Sequence, residues 1–309
     1  MTTLLISQAN FESHVTPSGH PERADRVRAV EQALSHDRFA PLKRRMAPSG
    51  DLSLVQLAHD RDYLARLRDA RPAEGIGQID EDTFISAGSL DAAATGLGGA
   101  LAALDAVAMG EVDNAFCAIR PPGHHAEIVN PMGFCLINTV AITAREAQRK
   151  YGAERVAIVD FDVHHGNGTQ DIFWNDPSVM YCSTHQMPLF PGTGDKSERG
   201  EYDNIVNAPL RAGDGGDTFR EAMETTILPR LDSFGPDLVI VSSGFDAHMR
   251  DPLASLNFTE DDFAWATKKL MDLADRKSGG RLVSVLEGGY DLQGLAASVS
   301  AHVTALMRG

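Results

Sequence analysis

Short apolar runs alternate with longer segments of helical periodicity along the whole chain. The apolar runs predict strands at residues 4–6, 115–119, 156–161, 179–182, 238–241 and 282–286. Several are apolar at every position, which is typical of strands covered on both faces in a parallel sheet. Segments with one apolar face predict helices at residues 22–34, 60–69, 90–109, 138–150, 217–230, 260–276 and 292–306. This alternation indicates an open α/β sheet with helices on both faces.

Nothing in the composition divides the chain into parts. It has no repeat, no low-complexity tract and no linker rich in Pro, Gly and Ser, so we predict a single domain over residues 1–309. The glycine-rich stretch 96–99 lies inside a predicted helix and follows no strand, which favours close helix packing over a phosphate-binding loop. The short basic cluster at residues 43–45 is interpreted as a solvated loop.

Charge and cysteine content exclude several classes of protein. The chain has 28 Lys and Arg against 43 Asp and Glu, a net charge of −15, which opposes nucleic-acid binding and favours cationic substrates. Cys117, Cys135 and Cys182 are too scattered for a disulfide framework or a cysteine zinc site. Without a basic leader or a long apolar run, we expect a cytoplasmic protein with no membrane contact. A homo-oligomer remains compatible with the sequence.

The segment 156–168 contains the strongest chemical signal. An apolar strand leads into Asp160, Asp162 and His164, which share one side of an extended chain and precede two glycines. Crowded carboxylates and an imidazole at the carboxyl end of a strand favour a bound cation. A catalytic zinc site needs three protein ligands, and Asp246, which follows another apolar strand, is the third candidate. Two Asp and one His suit Zn²⁺ and also Fe²⁺ or Co²⁺.

Two further segments place polar groups after apolar strands. Pro121-Pro122-Gly123 forms a rigid turn that presents His124 and His125, and each histidine needs a partner that fixes its tautomer. Asp160 and Asn167 are the polar residues available for this purpose. After the strand at 282–286, Tyr290 follows two glycines and can donate a hydrogen bond to an oxyanion.

Taken together, these motifs resemble the zinc-dependent histone deacetylase family, in particular its class II branch and the bacterial deacetylase-like amidohydrolases. The resemblance runs from residue 19 to the last helix and rests on PPGHHA (121–126), GFC (133–135), DFDVHHGNGTQD (160–171), FPGTG (190–194), SSGFDAH (242–248) and LEGGYD (286–291). It implies an arginase-like α/β fold with a central eight-stranded, mostly parallel sheet. It also implies a hydrolase that removes acetyl groups from lysine side chains.

The resemblance assigns roles to individual residues. Asp162, His164 and Asp246 would hold Zn²⁺. In the family pattern His125 is the general base and then the acid, supported by Asn167, while His124 is its electrostatic partner, held by Asp160. Tyr290 would polarise the substrate carbonyl. Asn at position 167 is a mark of the class II branch, in which HHGNG replaces the version with Asp.

The resemblance also implies a substrate channel and structural cations. Gly133, Phe134 and Phe190 would line the channel, and Asp82 resembles the rim aspartate that binds substrate backbone. A structural K⁺ or Na⁺ would lie at a site made by five residues, several of them through backbone oxygen: Asp160, Asp162, His164, Ser183 and Thr184.

Two alternatives to a lysine deacetylase stay open. The net charge of −15 favours a polycation such as an acetylpolyamine, whereas Leu253 stands at the channel gate, where polyamine-selective relatives place an acidic residue. The other alternative is a metal- or ligand-binding module without turnover. The sequence determines neither the physiological substrate, nor the acyl-chain length, nor the native metal.

Overall fold

A sheet of eight strands runs through the centre of the computed structural model, which describes residues 1–308. Its strands are β1 (Thr3–Ser7), β2 (Lys43–Met46), β5 (Asn114–Ala118), β6 (Val156–Asp160), β7 (Val179–Gln186), β8 (Ile205–Leu210), β9 (Leu238–Ser243) and β10 (Leu282–Leu286). The two remaining strands, β3 (Ile76–Gln78) and β4 (Phe84–Ser86), form a separate hairpin. The order in the large sheet is β2-β1-β5-β10-β9-β6-β7-β8, and every pairing in it is parallel.

Helices cover both faces of this sheet, as the sequence predicts. They are α1 (Asp25–Leu34), α2 (Tyr63–Ala70), α3 (Ser89–Ala108), α4 (Thr139–Tyr151), α5 (Asn167–Phe173), α6 (Gly216–Ala222), α7 (Leu228–Phe234), α8 (Glu260–Lys277) and α9 (Leu292–Arg308). Alternate residues of β6 belong to opposite cores: Ala157 is part of the core that contains Leu270 of α8, and Ile158 is part of the core that contains Leu97 of α3. An α/β fold with two apolar cores on one parallel sheet is therefore confirmed.

The differences from prediction lie mainly at the sheet edges. All six predicted strands are present, but β2 and β8 of the large sheet were missed, as were the hairpin strands β3 and β4 and the short helix α5. The interpretation of residues 43–45 as a loop is wrong, because Lys43–Met46 is an exposed edge strand paired with β1. Edge strands need no apolar face, and Pro209 within β8 is tolerated at an edge. The helix predicted at 217–230 is in fact α6 and α7 joined by a π-helical turn, Met223–Ile227.

Helix α3 combines two features noted in the sequence. A Cβ atom at Gly98 would overlap the carbonyl oxygen of Pro48, so the glycine allows the backbone at 48–50 to pack directly on the helix. This contact supports the packing interpretation of residues 96–99. Helix α3 is also long and apolar enough to cross a membrane, but 78% of its apolar window is buried inside the protein, as in a core helix.

The strand order brings four loops to one edge of the sheet. Strands β5, β10, β9 and β6 are consecutive neighbours, and their carboxyl ends lead into residues 119–126, 287–290, 244–248 and 161–166. Open α/β sheets bind ligands at this edge. The parallel sheet thereby brings together the four segments in which the sequence analysis found candidate catalytic or metal-binding residues.

Candidate active site

Asp162, His164 and Asp246 lie together at the carboxyl edge of the sheet. One ligand atom from each lies within 4.8 Å of the others, and all three residues are buried. His164 Nδ1 is 3.2 Å from Asp162 Oδ1 and 3.2 Å from Asp246 Oδ2. Two ligand atoms of one tetrahedral zinc ion are about 3.3 Å apart. The donor set and its spacing therefore fit a divalent metal.

The backbone around this group holds both carboxylates in place. Asp162 Oδ1 accepts the N–H of His164 and Asp162 Oδ2 accepts the N–H of Gly288, both at about 2.9 Å or less. Asp246 Oδ1 accepts the N–H of Val163 at 2.8 Å. A Cβ atom at Gly244 or Gly288 would overlap these carboxylates. The glycines that follow β9 and β10 thus leave room for two acidic side chains.

Burial makes the pair of carboxylates unfavourable without a cation. Burial, together with the nearby charge of Asp162, raises the pKa of Asp246 to about 7. Asp162 is equally buried, but the adjacent His124 and His164 outweigh burial and hold its pKa below the usual value. A positive ion between two buried carboxylates removes this repulsion.

The turn after β5 presents the two adjacent histidines to this group. His124 Nδ1 is 3.0 Å from Asp160 Oδ2. Burial alone would lower the pKa of His124, but the charges of Asp160 and Asp162 raise it to about 10. The backbone of the turn is held by the residue that follows β10: Glu287 Oε2 accepts the N–H of Gly123 at 2.6 Å and that of His124 at 3.2 Å.

His125 has a different partner and a different electrostatic environment. Its Nδ1 is 2.8 Å from Asn167 Oδ1. Burial, with the neighbouring His124 and His164, lowers the pKa of His125 well below its usual value. Gly133 packs against this ring: a Cβ atom there would lie 2.5 Å from His125 Cδ2, and its φ of 57° also favours glycine. Their surroundings therefore shift the pKa values of the two adjacent histidines in opposite directions.

A cavity of about 220 Å³ opens above these side chains. Its lining includes every channel residue expected from the sequence, three residues expected to act in catalysis or metal binding, and one residue that was not expected, Leu189. The lining residues are Asp82, His125, Gly133, Phe134, His164, Leu189, Phe190, Leu253 and Tyr290. The Tyr290 ring meets Phe134 edge-on at 5.8 Å, and Phe190 meets the ring of His125 at 5.1 Å. Most of the lining is apolar, and its polar side chains are those of Asp82, His125, His164 and Tyr290.

The rim residues are positioned by side chains that the sequence did not identify. Asp82 accepts a hydrogen bond from Thr83 Oγ1, which itself accepts the N–H of Phe134 at 3.1 Å. Burial raises the pKa of Asp82. Asp251, buried beside the channel, accepts the N–H of Leu253 at 3.0 Å and the N–H of Tyr290 at 2.7 Å.

The residues expected to hold a monovalent cation are also neighbours. Ser183 of β7 lies directly opposite Asp160 of β6 in the parallel register. Its hydroxyl is 2.9 Å from His185 Nδ1, while Thr184 Oγ1 is buried without a hydrogen-bond partner. Asp160 Oδ1 accepts the N–H of Asp162 at 3.1 Å.

Sequence reasoning missed four buried or half-buried charged residues around the site, namely Arg26, Glu127, Asp251 and Glu287. Arg26 donates to the carbonyl oxygen of Gly289 at 2.7 Å, and its guanidinium lies 4.9 Å from the centre of the Tyr290 ring. Glu287 stands inside the motif LEGGYD and Glu127 directly follows the motif PPGHHA, so their positions were a usable signal. The sequence carries no comparable signal for Asp251, because a single Asp before Pro is also typical of an ordinary turn.

The fold and the site together define an α/β protein with a buried Asp–His–Asp group that could hold a metal ion, and a histidine pair, at the carboxyl edge of its sheet. The chain belongs to the histone deacetylase family, since the sequence model of the histone deacetylase domain matches residues 20–306. It is 37% identical over 315 residues to a probable deacetylase of Archaeoglobus fulgidus, which covers all of this chain and 87% of that protein.

Two further similarities agree with this family. The chain is 41% identical over 279 residues to a histone deacetylase-like amidohydrolase of Pseudomonas aeruginosa, covering 88% of this chain and 73% of the relative. The crystal structure of the HDA15 HD domain superposes with a TM-score of 0.93 at 34% identity, covering 99% of this chain and 88% of that one. The family and fold expected from the motifs are thus confirmed.

Proposed function

We propose that the chain is a zinc-dependent amidohydrolase that removes acetyl groups from lysine side-chain amines of proteins or peptides and releases acetate. The observation that supports this most directly is that the buried Asp162, His164 and Asp246 group adjoins a mostly apolar cavity, which His164 lines together with His125 and Tyr290. The relatives named deacetylase and amidohydrolase support the same reaction class.

Asp162, His164 and Asp246 would hold the metal, and the donor set suits Zn²⁺ with Fe²⁺ as the alternative. When bound, the metal supplies a Lewis acid that polarises a carbonyl oxygen and lowers the pKa of water toward about 7. The same residues define where the acetyl group must lie, because the cavity includes His164 at its base.

His125 is the group that moves the proton. Its Nδ1 is occupied by Asn167, so Nε2 is the nitrogen available to the cavity. As the oxygen of water bonds to the carbonyl carbon, Nε2 takes a proton from the water. When the C–N bond breaks, the same nitrogen returns that proton to the leaving amine. The products are acetate and a primary amine.

His124 and Tyr290 stabilise the charge that develops during attack. The Tyr290 side chain lines the cavity, where its hydroxyl donates a hydrogen bond to the oxygen of the substrate carbonyl. His124, held by Asp160 at 3.0 Å, supplies a fixed positive charge beside His125. Ser183 and Thr184, with the chain segment from Asp160 to His164, would hold a structural K⁺ or Na⁺ behind this group.

The channel walls favour a lysine side chain over a polyamine. Phe134, Phe190 and Leu253 offer apolar surface to the four methylene groups of lysine. A polyamine brings further ammonium groups to the gate, where Leu253 provides no countercharge. The net charge of −15 favours the polyamine instead, so an acetylpolyamine amidohydrolase is the second candidate. We also propose a cytoplasmic location, supported by three buried free thiols, and no nucleic-acid or membrane partner.

The experiment compares kcat/KM for an acetyl-lysine peptide and for an acetylpolyamine on zinc-loaded protein, with Asp246→Ala as the control. The proposal expects a large ratio in favour of the peptide and loss of both activities in the control. A large ratio in the other direction supports the polyamine reaction. Metal binding without hydrolysis of these or other acyl amides would mean a ligand-binding module and would contradict the proposal.

A further inference from the structure

The side-chain amide of Asn167 lies between His125 and Glu127. Asn167 Oδ1 is 2.8 Å from His125 Nδ1, and Asn167 Nδ2 donates to Glu127 Oε1 at 2.7 Å. An amide has an accepting edge and a donating edge of nearly equal shape, so its orientation is decided by its partners. A carboxylate can only accept, and it therefore turns the NH₂ group of Asn167 toward itself.

We propose that Glu127 is a positioning residue that fixes the tautomer of His125 through the Asn167 amide. With Oδ1 of Asn167 facing the ring, His125 must carry its proton on Nδ1 in order to donate. In the neutral imidazole Nε2 is then unprotonated and able to accept a proton at the cavity. This inference rests on the proposed function, because only a general base at His125 needs that tautomer.

The other contacts of Glu127 can be separated from its hydrogen bond with Asn167. Its backbone N–H donates to the carbonyl oxygen of Asn130, and its own carbonyl oxygen lies 2.7 Å from His59 Nδ1. Its second carboxylate oxygen accepts from the side chain of Asn130 at 3.2 Å. A substitution at 127 keeps both backbone contacts, and a substitution at 130 tests the remaining one separately.

The hydrogen bonds that link Glu127, Asn167 and His125 can be tested by exchanging their donors and acceptors. In Glu127→Lys the ammonium can only donate, so Oδ1 of Asn167 turns toward it and the NH₂ group faces His125. The ring must then accept at Nδ1 and carry its proton on Nε2, where it can no longer take one from water. Asn167→Asp restores an acceptor toward both neighbours, so the double variant regains the original tautomer. Asn167→Asp alone sets two carboxylates against each other.

The experiment measures the tautomer of His125 and the activity in parallel. Zinc-loaded protein with ¹⁵N-labelled histidine is studied by NMR, in which the chemical shifts of Nδ1 and Nε2 identify the protonated nitrogen; a His125→Ala sample assigns the signal. Activity is kcat on an acetyl-lysine peptide. We expect Glu127→Lys to move the proton to Nε2 and to lower kcat at least about tenfold. We expect Glu127→Lys combined with Asn167→Asp to recover both.

Asn130→Ala is the matched control, because it removes the other side-chain contact of Glu127 and should leave tautomer and kcat unchanged. If Glu127→Lys does not fold, Glu127→Gln gives the same test, since an amide at 127 accepts either orientation of Asn167 and should yield a mixture of tautomers. An unchanged Nδ1–H tautomer in these variants overturns the proposal, as does a folded double variant with no recovery. The NMR result stands even if the wild-type protein hydrolyses no amide, so failure of the proposed function is seen separately.

Discussion

Asp251 Oδ2 accepts the backbone N–H of Tyr290 at 2.7 Å, while Oδ1 of the same carboxylate accepts the N–H of Leu253 at 3.0 Å. One buried side chain thus joins the loop that forms the channel gate to the loop that presents the proposed oxyanion donor. The ring of Tyr290 is held from its other side by Arg26.

Asp251→Asn is expected to lower kcat between about ten- and a hundredfold, because an NH₂ group facing one of these N–H donors displaces Tyr290 or the gate. Steady-state kinetics on zinc-loaded protein measure the effect. Asp237→Asn is the matched control. Asp237 directly precedes β9, at the amino end of the sheet and away from the site, and its carboxylate accepts the N–H groups of Glu154 and Arg155. Equal kinetics in the two variants would contradict the role of Asp251.

Tyr290→Phe is expected to lower kcat by at least about tenfold, because it removes the hydroxyl that donates to the carbonyl oxygen and leaves the ring contacts with Phe134 and Arg26 intact. Metal content, measured by atomic absorption, should equal that of the wild type. A fully active variant would rule out the hydroxyl as an oxyanion donor.

Leu253→Glu is expected to change the preference of the channel. A carboxylate at the gate attracts the distal ammonium group of a polyamine, so the ratio of kcat/KM for acetylpolyamine to that for acetyl-lysine peptide should rise about tenfold, or about 1.4 kcal/mol. Leu253→Gln supplies a polar side chain of similar size without the charge and should leave the ratio near the wild-type value. A ratio that changes equally in both variants would place the effect in packing and not in charge.

His302 is expected to make the protein less stable in mild acid. It is buried among Phe116, Phe161 and Phe245, and burial lowers its pKa from 6.5 to about 3. Between about pH 6.5 and pH 3, His302 is therefore protonated in the unfolded chain but stays neutral in the folded protein. The stability contributed by the neutral ring is complete above pH 6.5 and is lost progressively as the pH falls toward 3.

His302→Gln removes this titration and should flatten the acid dependence. Between pH 7.5 and 5.5, the free energy of unfolding of the wild type should fall by about 1.4 kcal/mol more than that of the variant. Urea unfolding at the two pH values measures both. An identical loss in the two proteins would show that His302 is not the group responsible.

The sequence by itself was sufficient for the central strands and for identifying three residues, Asp162, His164 and Asp246, that the fold brings together. Strands such as Val156–Asp160 are apolar on both faces, and polar residues follow them immediately, so local pattern and chemistry coincide. One local detail was wrong: β6 ends at Asp160, and Asp162 and His164 stand on the following loop and not on an extended strand. The edge strand Lys43–Met46 escaped because it is exposed and carries no apolar pattern. The other edge strand, Ile205–Leu210, is buried, but Asn207 and Pro209 interrupt its apolar run.

Tertiary structure decided which of these residues act on one another. Glu127 meets Asn167 across 40 residues of chain, and Asp251 meets Tyr290 across 39. These contacts exist because β5, β10, β9 and β6 are neighbours in the sheet, an order that differs from their order in the chain. A hydrophobic pattern records how deeply a strand is buried and not which strand lies beside it, so the hydrogen-bond partners of the site were fixed only when the sheet assembled.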